Sequence, residues 1–297
     1  MHDCNGKHAY LIMAHDDQLL LDTLITLLDG ERSDIFLHLD QKSSLKNHVS
    51  LQHAHIYEVK SENVQWSGES QIIAEMNLIK CAAIHGPYMY YHLLSGRDLP
   101  LKSQKEIYDF FDDNSGTEYI DIWPFKERQH QRVMKYTIQN DISKCEYHTY
   151  LNDLLIITQN TYSLIRPFDN KYPTFYAGSN WFSLTHKAIC YLIYNENDIV
   201  KYFYKGYGAD ETFVQTLLLN SPFADNIGGS TRYIEKFEGP HPVLLRFKDK
   251  QSLVETDCLF ARKFDSEKDY PIIQSIAESI RPDIYKQKKY STFQITL

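Results

Sequence analysis

What most constrains this chain is alternation. Across its first 125 residues, short apolar runs of strand length alternate with segments whose leucines and isoleucines recur at helical spacing. "HAYLIMA" (8–14) reads as a buried strand, and "DDQLLLDTLITLLDG" as a helix stopped at Gly30. "DIFLHLD" (34–40) and "HIYEV" (55–59) are further strands. "SGESQIIAEMNLIKCAAIHG" is a helix starting at Ser67 or Gly68 and ending at Gly86. "YMYYHLLSG" (88–96) is an aromatic-rich strand. "SQKEIYDFFDD" has Ser103 as N-cap and Glu106 completing a capping box, and "EYIDIW" (118–123) is a strand. This order predicts an α/β fold with a mostly parallel central sheet flanked by helices. In such sheets ligands bind beyond the carboxyl ends of the strands, so "HDD", "LDQKS", "QWSGES" and "LSGRDLP" are the loops of interest.

The alternation weakens over 124–170, a stretch rich in Lys, Arg, Gln, Asn and Tyr. "ERQHQRVMKY" keeps helical spacing, which suggests an inserted helical region or loops. Strand, turn and helix resume in "PTFYAGSNWFSLTHKAICYLIYN". An Asp-Glu helix start, a strand in "TRYIEKF", the loop "EGPHPVLL" and a last segment around "CLFARKFD" follow. There is no internal repeat or low-complexity linker, so 1–297 reads as one domain.

Charge and cysteine content remove several function classes. With 31 basic and 39 acidic residues the net charge is -8, so nucleic acid is not an expected partner. The five cysteines form no Cys-x-x-Cys pair, which argues against structural zinc and fits a reducing compartment. No run approaches the roughly 20 apolar residues of a membrane span, and the N-terminus lacks a signal-peptide pattern. The expectation is a soluble, cytoplasmic protein. Its mildly basic tail "YKQKKYSTFQITL" is either a solvated end or a peripheral contact with the inner face of the membrane.

The chemical motifs narrow it further. There is no P-loop, no G-x-G-x-x-G, no G-x-S-x-G and no H-E-x-x-H. There is also no Asp-x-Asp, the spacing at which two hard carboxylates hold Mg²⁺ or Mn²⁺ against a diphosphate. If the chain is a nucleotide-sugar transferase, the charge of a leaving diphosphate must be neutralised otherwise, and Arg or Lys is the obvious substitute. Arg262 and Lys263 in "LFARKFD" and Arg232 in "TRYIEKF" are candidates, against the alternative of solvated surface cations. In "YGADETFVQT", Asp210 fits an N-cap and Glu211 a first-turn acid favoured by the helix dipole. Helix-start physics alone explains both carboxylates.

Taken together and in order, these blocks resemble the core-2/I-branching β-1,6-N-acetylglucosaminyltransferase family, glycosyltransferase family 14, which includes the protein O-xylosyltransferases. The resemblance runs from about Ala9 to Phe264. It is carried by "AYLIMAHDD", "FLHLDQKS", "VQWSGESQIIAEMNLIKCA", "YYHLLSGRDLPLKSQKEIYDFF", "AGSNWFSLTHKAI", "ADETFVQTLLLNSPF" and "LFARKFD". It implies a GT-A fold, a UDP-sugar donor, a glycan acceptor, inversion at the anomeric carbon and no metal. It also implies a donor-binding half in 1–123 and an acceptor-binding, catalytic half in 124–297. Glu211 maps onto the family's catalytic base and Lys263 onto its diphosphate ligand. Arg232, Arg246 and Arg262 compete for the second diphosphate cation, with Arg262 and Arg232 favoured. Glu118 and Arg132 are the nearest matches to its acceptor ligands. The chain lacks the membrane anchor and disulfide cysteines of animal relatives. A bacterial enzyme of capsule, lipopolysaccharide or exopolysaccharide assembly, with a lipid-linked acceptor, is the setting this suggests.

The residues expected around the donor follow from the loops. His15 and Asp16 are expected near the uracil, Asp40 near the ribose, and Ser95, Gly96 and Asp98 where a metal motif otherwise sits. Asp98 either binds sugar hydroxyls or braces its loop. Trp66 and Trp181 are sugar platforms or core packing. Two other readings compete: a glycoside hydrolase working with two carboxylates, and a non-catalytic carbohydrate-binding or scaffold protein. Adjacent Asp210 and Glu211 point differently at a helix start and make a poor hydrolase pair.

Overall fold

A computed structural model describes residues 6–124, 171–204, 206, 208–238 and 241–285, with 154, 157 and 158. Arg132, the helical pattern of "ERQHQRVMKY" and the basic tail beyond residue 285 lie outside the described residues. The strands are β1 (His8–Ala14), β2 (Ser33–Leu39), β3 (His55–Val59), β4 (Tyr90–Ser95), β5 (Asp98–Pro100), β6 (Ser183–Thr185), β7 (Arg232–Tyr233), β8 (Phe237–Glu238), β9 (His241–Pro242) and β10 (Phe260–Arg262). The helices are α1 (Gln18–Leu27), α2 (Glu69–His85), α3 (Gln104–Asp113), α4 (His186–Tyr194), α5 (Glu196–Tyr202), α6 (Phe213–Leu219), α7 (Lys250–Glu255) and α8 (Ser266–Ile280).

The central sheet has the order β3-β2-β1-β4-β6. Its first four strands are parallel, in register His8↔Ser33 and His8↔Tyr90, while β6 pairs antiparallel with β4. Successive side chains of β1 leave opposite faces of the sheet. Ala9, Leu11 and Met13 join the core under α2 and α4. Tyr10, Ile12 and Ala14 join a second core under α1, α3 and α8. Both faces are covered, which is why β1 is a continuous apolar run and not an alternating one.

A smaller sheet, β5-β10-β7, lies beyond the end of β4. Its middle strand β10 runs antiparallel to β5 and parallel to β7. Local signals account for the connections. Ser103 accepts from the Glu106 amide while Glu106 accepts from the Ser103 amide, the capping box that starts α3. Asp17 starts α1 by accepting from the Leu20 amide.

Two expected strands shrink. Within "EYIDIW" only Glu118 and Tyr119 make isolated bridges, to Ile227 and Ser183. Beyond them the chain leaves the sheet edge: Asp121 accepts from the Trp123 indole (2.7 Å) and the Ser179 amide (3.3 Å), and Trp123 N donates to Ala177 O (2.8 Å). In "TRYIEKF" only Arg232–Tyr233 is strand, and the following loop forms the short hairpin β8-β9. Among the described residues no helix is long and apolar enough to cross a membrane.

Candidate active site

The carboxyl ends of β1, β2 and β4 open toward one place. Asp40 follows β2. Its amide donates to Ala14 O (2.8 Å), and its carboxylate accepts from the Lys42 amide (2.8 Å), so the buried side chain shapes its own turn. Gly96 follows β4 and donates to Met13 O (2.8 Å). A Cβ there would lie 2.8 Å from that of Ala14, so only glycine lets the loop after β4 approach β1 this closely. His15 is exposed, with Nε2 3.4 Å from the Asp16 carboxylate. Desolvation lowers its pKa, with Arg97 and Lys263 adding to the effect against Asp16 and Asp40.

Arg97 holds these loops together. It forms a two-pronged pair with Asp16 (2.7 and 2.6 Å), reaches Asp17 (3.3 Å) and Asp265 (3.0 Å), and donates to Phe264 O (3.2 Å). Asp17 in turn accepts from the amide and hydroxyl of Ser266 (2.8 and 2.6 Å). One guanidinium thus joins the loops after β1, β4 and β10. The fork geometry of arginine suits such a task, and lysine would not replace it.

The segment after β10 brings the cations. Arg262 is 8% exposed, lies over the Trp181 ring (4.2 Å to the centroid) and comes within 3.7 Å of Asp98. Its buried Nε and Nη1 make no hydrogen bond. Burial lowers its pKa, while the charges of Asp98 and Glu211 raise it. Lys263 is half-buried. Burial and the neighbouring charges of Arg262 and Arg97 push its pKa down, against Asp16 and Asp265. Asp98 is fully buried and accepts from the Ser95 amide (2.9 Å) and hydroxyl (3.1 Å). It braces its loop beneath Arg262, and burial raises its pKa.

Arg232 departs from expectation. It is buried and donates to Ser183 Oγ (2.7 Å), Leu93 O (3.2 Å), Thr231 Oγ1 and Phe182 O, over the Phe260 ring. Burial lowers its pKa to about 9, which still leaves it charged at neutral pH. Its guanidinium is bonded to the interior and ties β7 to β4 and β6, within the field of Asp98 and Arg262.

The Asp-Glu motif also differs in detail. Ala209–Glu211 is a turn of 3₁₀ helix, and α6 begins only at Phe213. Asp210 does not cap a helix. It is buried and accepts from the Gln71 side chain of α2 (2.8 Å). The turn is pinned on both sides: Gly208 N donates to Ser67 O (3.0 Å), and Gly178 N to Glu211 O (2.9 Å). Gly178 sits so close to Asp121 that a Cβ would lie 1.8 Å from its carbonyl oxygen. Glu211 is only half-buried and shares the field of Arg262.

Of the remaining expected residues, Trp66 is 53% exposed and adjoins Ser67, which holds the turn. Trp181 is half-buried, packs on the core and has a face covered by Arg262. Glu118, the nearest match to an acceptor ligand, is turned to the protein's own backbone. It is 1% exposed and accepts from the amide (2.8 Å) and hydroxyl of Thr185, at the start of α4, and burial raises its pKa. The structure therefore brings His15, Asp16, Asp40, Ser95, Gly96, Asp98, Arg262 and Lys263 to one end of the sheets, with Glu211 coupled to Arg262. Arg97, Gln71, Glu75 and Gly178 went unnoticed in sequence. Only the Gly178 side of "AGSN" carried a local signal, because the other contacts join distant segments.

A parallel sheet with an antiparallel edge, a site at its strand ends, and paired cations beside a turn-borne acid define an α/β enzyme of GT-A-like build. The family model described as Core-2/I-Branching enzyme matches residues 8–249, and the chain belongs to that family. It is a glycosyltransferase. No curated protein matches the chain.

Proposed function

We propose that the enzyme moves a sugar, GlcNAc in the first instance, from a UDP-sugar to a glycan hydroxyl with inversion and without a metal. The observation that carries this reading is the Arg262–Lys263 pair: two adjacent cations whose pKa values burial lowers, one of them in the field of Glu211. Both gain from a bound anion, so together they suit a departing diphosphate. Glu211 takes the proton of the acceptor hydroxyl as it attacks in line, and the acceptor's oxygen displaces UDP. His15, Asp16 and Asp40 border the nucleoside, Ser95 and Gly96 the donor pyrophosphate, and Trp66 offers an exposed ring to a sugar. The donor half is 1–123 and the acceptor half 124–297. A lipid-linked acceptor of surface-polysaccharide assembly, met at the membrane, fits the same chemistry.

The test is a transfer assay in EDTA over UDP-GlcNAc, UDP-xylose, UDP-glucose, UDP-galactose and UDP-glucuronate. The wild type is expected to turn over one of these, and Glu211→Gln to bind it without transferring. Turnover by Glu211→Gln would remove the base assignment, and transfer restored only by Mn²⁺ would remove metal independence.

A further inference from the structure

Glu75 lies in the middle of α2, beneath the turn that carries Glu211, and is 0% exposed. It stands one helical turn after Gln71, so the two side chains share a face of α2. Gln71 donates to Asp210 (2.8 Å), and Asn180 donates to Glu75 Oε1 (3.3 Å). Both acids therefore occupy the seam between α2 and the 3₁₀ turn. No donor reaches Glu75 Oε2, which is buried. Ala209 and Phe213 of the turn and helix, and Ile72 and Ile79 of α2, belong to one apolar core along this seam. The charged or titratable group facing Glu75 is Asp210. Arg262 is in the field of Glu211, and no cation balances Glu75 among the described residues.

Two carboxylates in one dry seam do not both ionise, and the pair titrates as a unit. Asp210 receives the Gln71 amide, which favours its charged form. Burial and the Asp210 charge both raise the Glu75 pKa. A proton on Glu75 would turn its undonated oxygen into a donor.

We propose that Glu75 and Asp210 share a single proton across the seam between α2 and the 3₁₀ turn, and that this protonated pair is the positioning device for Glu211. Glu75 is a positioning residue: it touches no substrate and acts through Asp210. The second half of this proposal rests on the reading of Glu211 as base. The first half does not.

Two measurements test it. Infrared difference spectra of wild type against Glu75→Gln are expected to show a protonated carboxylic acid at pH 7 that the variant lacks, and absence of that band overturns the shared proton. In transfer assays wild-type kcat is expected to fall at alkaline pH as the shared proton is lost, and Glu75→Gln, the neutral isostere, to keep kcat at neutral pH within about threefold and to lack that fall. Glu75→Ala is expected to lose about tenfold or more in kcat with donor affinity by calorimetry unchanged. Equal losses in Gln and Ala variants, or an unshifted alkaline limb, overturn the positioning role. If Glu211→Gln proves active, the infrared result still decides the proton, so failure of the base assignment and failure of this proposal are told apart.

Discussion

Arg262 and Lys263 are neighbours in sequence with different relations to water. Arg262 is nearly enclosed between Trp181 and Asp98, whereas the Lys263 side chain is half-open and has no hydrogen bond or ion pair among the described residues. The two should answer substitution differently. Lys263→Ala is expected to leave the melting temperature unchanged while weakening UDP binding by about 2 kcal/mol, roughly 30-fold, the worth of one charge-assisted bond. Arg262→Ala leaves Asp98 buried beside an empty space, and is expected to cost about 3 kcal/mol of stability as well as donor affinity. Calorimetry and denaturant unfolding on both variants separate the roles; a Lys263→Ala that binds UDP as tightly as wild type would remove Lys263 from the donor site. The same reasoning sets a sign for pH. Because the free Lys263 pKa is lowered, anion binding raises it again, so UDP binding takes up protons and weakens as pH rises through the alkaline range.

At the scale of elements, the turn that carries Glu211 is held by its neighbours and not by its own helix. The 177–180 loop threads between Asp121 and the turn, and Gly178 is its tightest point. Gly178→Ala forces backbone to move, because the added atom meets a carbonyl oxygen and not a flexible side-chain end. Its expected cost is about 1–3 kcal/mol, with kcat falling more than donor affinity since the Gly178–Glu211 bond is displaced. A variant with unchanged kcat would show that the loop does not fix the turn. This also marks what a linear reading could reach. Strand and helix periods placed β1, β3 and α3 to within a residue or two, because burial on both sheet faces and the Ser103–Glu106 box are local signals. The same period gave Asp210 as a cap, because a cap and a carboxylate bonded to another helix look identical in sequence. The burial of Glu118 and Arg232 was hidden similarly: each is a charge whose partners, Thr185 in one case and Leu93, Phe182 and Ser183 in the other, lie far along the chain. Glu211 and Lys263 needed the resemblance to be singled out, since nothing in their spacing implies that β10 ends beside the turn.

At the scale of the whole molecule, Arg262 and Lys263, the cations proposed for the donor, lie at the end of the small sheet and the loops proposed to meet it on the large one, so the joint between the sheets matters. That joint is a buried polar chain. Arg232 of β7 donates to Ser183 Oγ, Ser183 meets His92 Nδ1 (2.8 Å), and His92 Nε2 meets His8 Nδ1 (2.9 Å). The Arg232 donation leaves the Ser183 hydroxyl hydrogen for His92 Nδ1. His92 is then the Nε2–H tautomer donating to His8, and every member has a fixed polarity. Both imidazoles must be neutral for this. Burial lowers the His8 pKa to about 3 and pushes His92 well below its ordinary value, with His8 and Arg232 contributing. The unfolded chain binds protons at these sites below about pH 6.5 and the folded chain does not, so stability present at neutral pH is lost as pH falls. Between pH 7 and pH 5, His8 alone accounts for about 2 kcal/mol of that loss. Glu75, Asp98 and Glu118, whose pKa values are raised, act in the opposite sense, so the net acid slope of the wild type is shallower than the histidines alone would give. The discriminating comparison is therefore between chains and not between pH values. His8→Gln removes one titrating group, and is expected to lose about 2 kcal/mol less stability than wild type between pH 7 and pH 5, whatever its stability at pH 7. Denaturant unfolding at both pH values measures this difference. Parallel losses in the two proteins would mean that the joint between the sheets is not where acid acts.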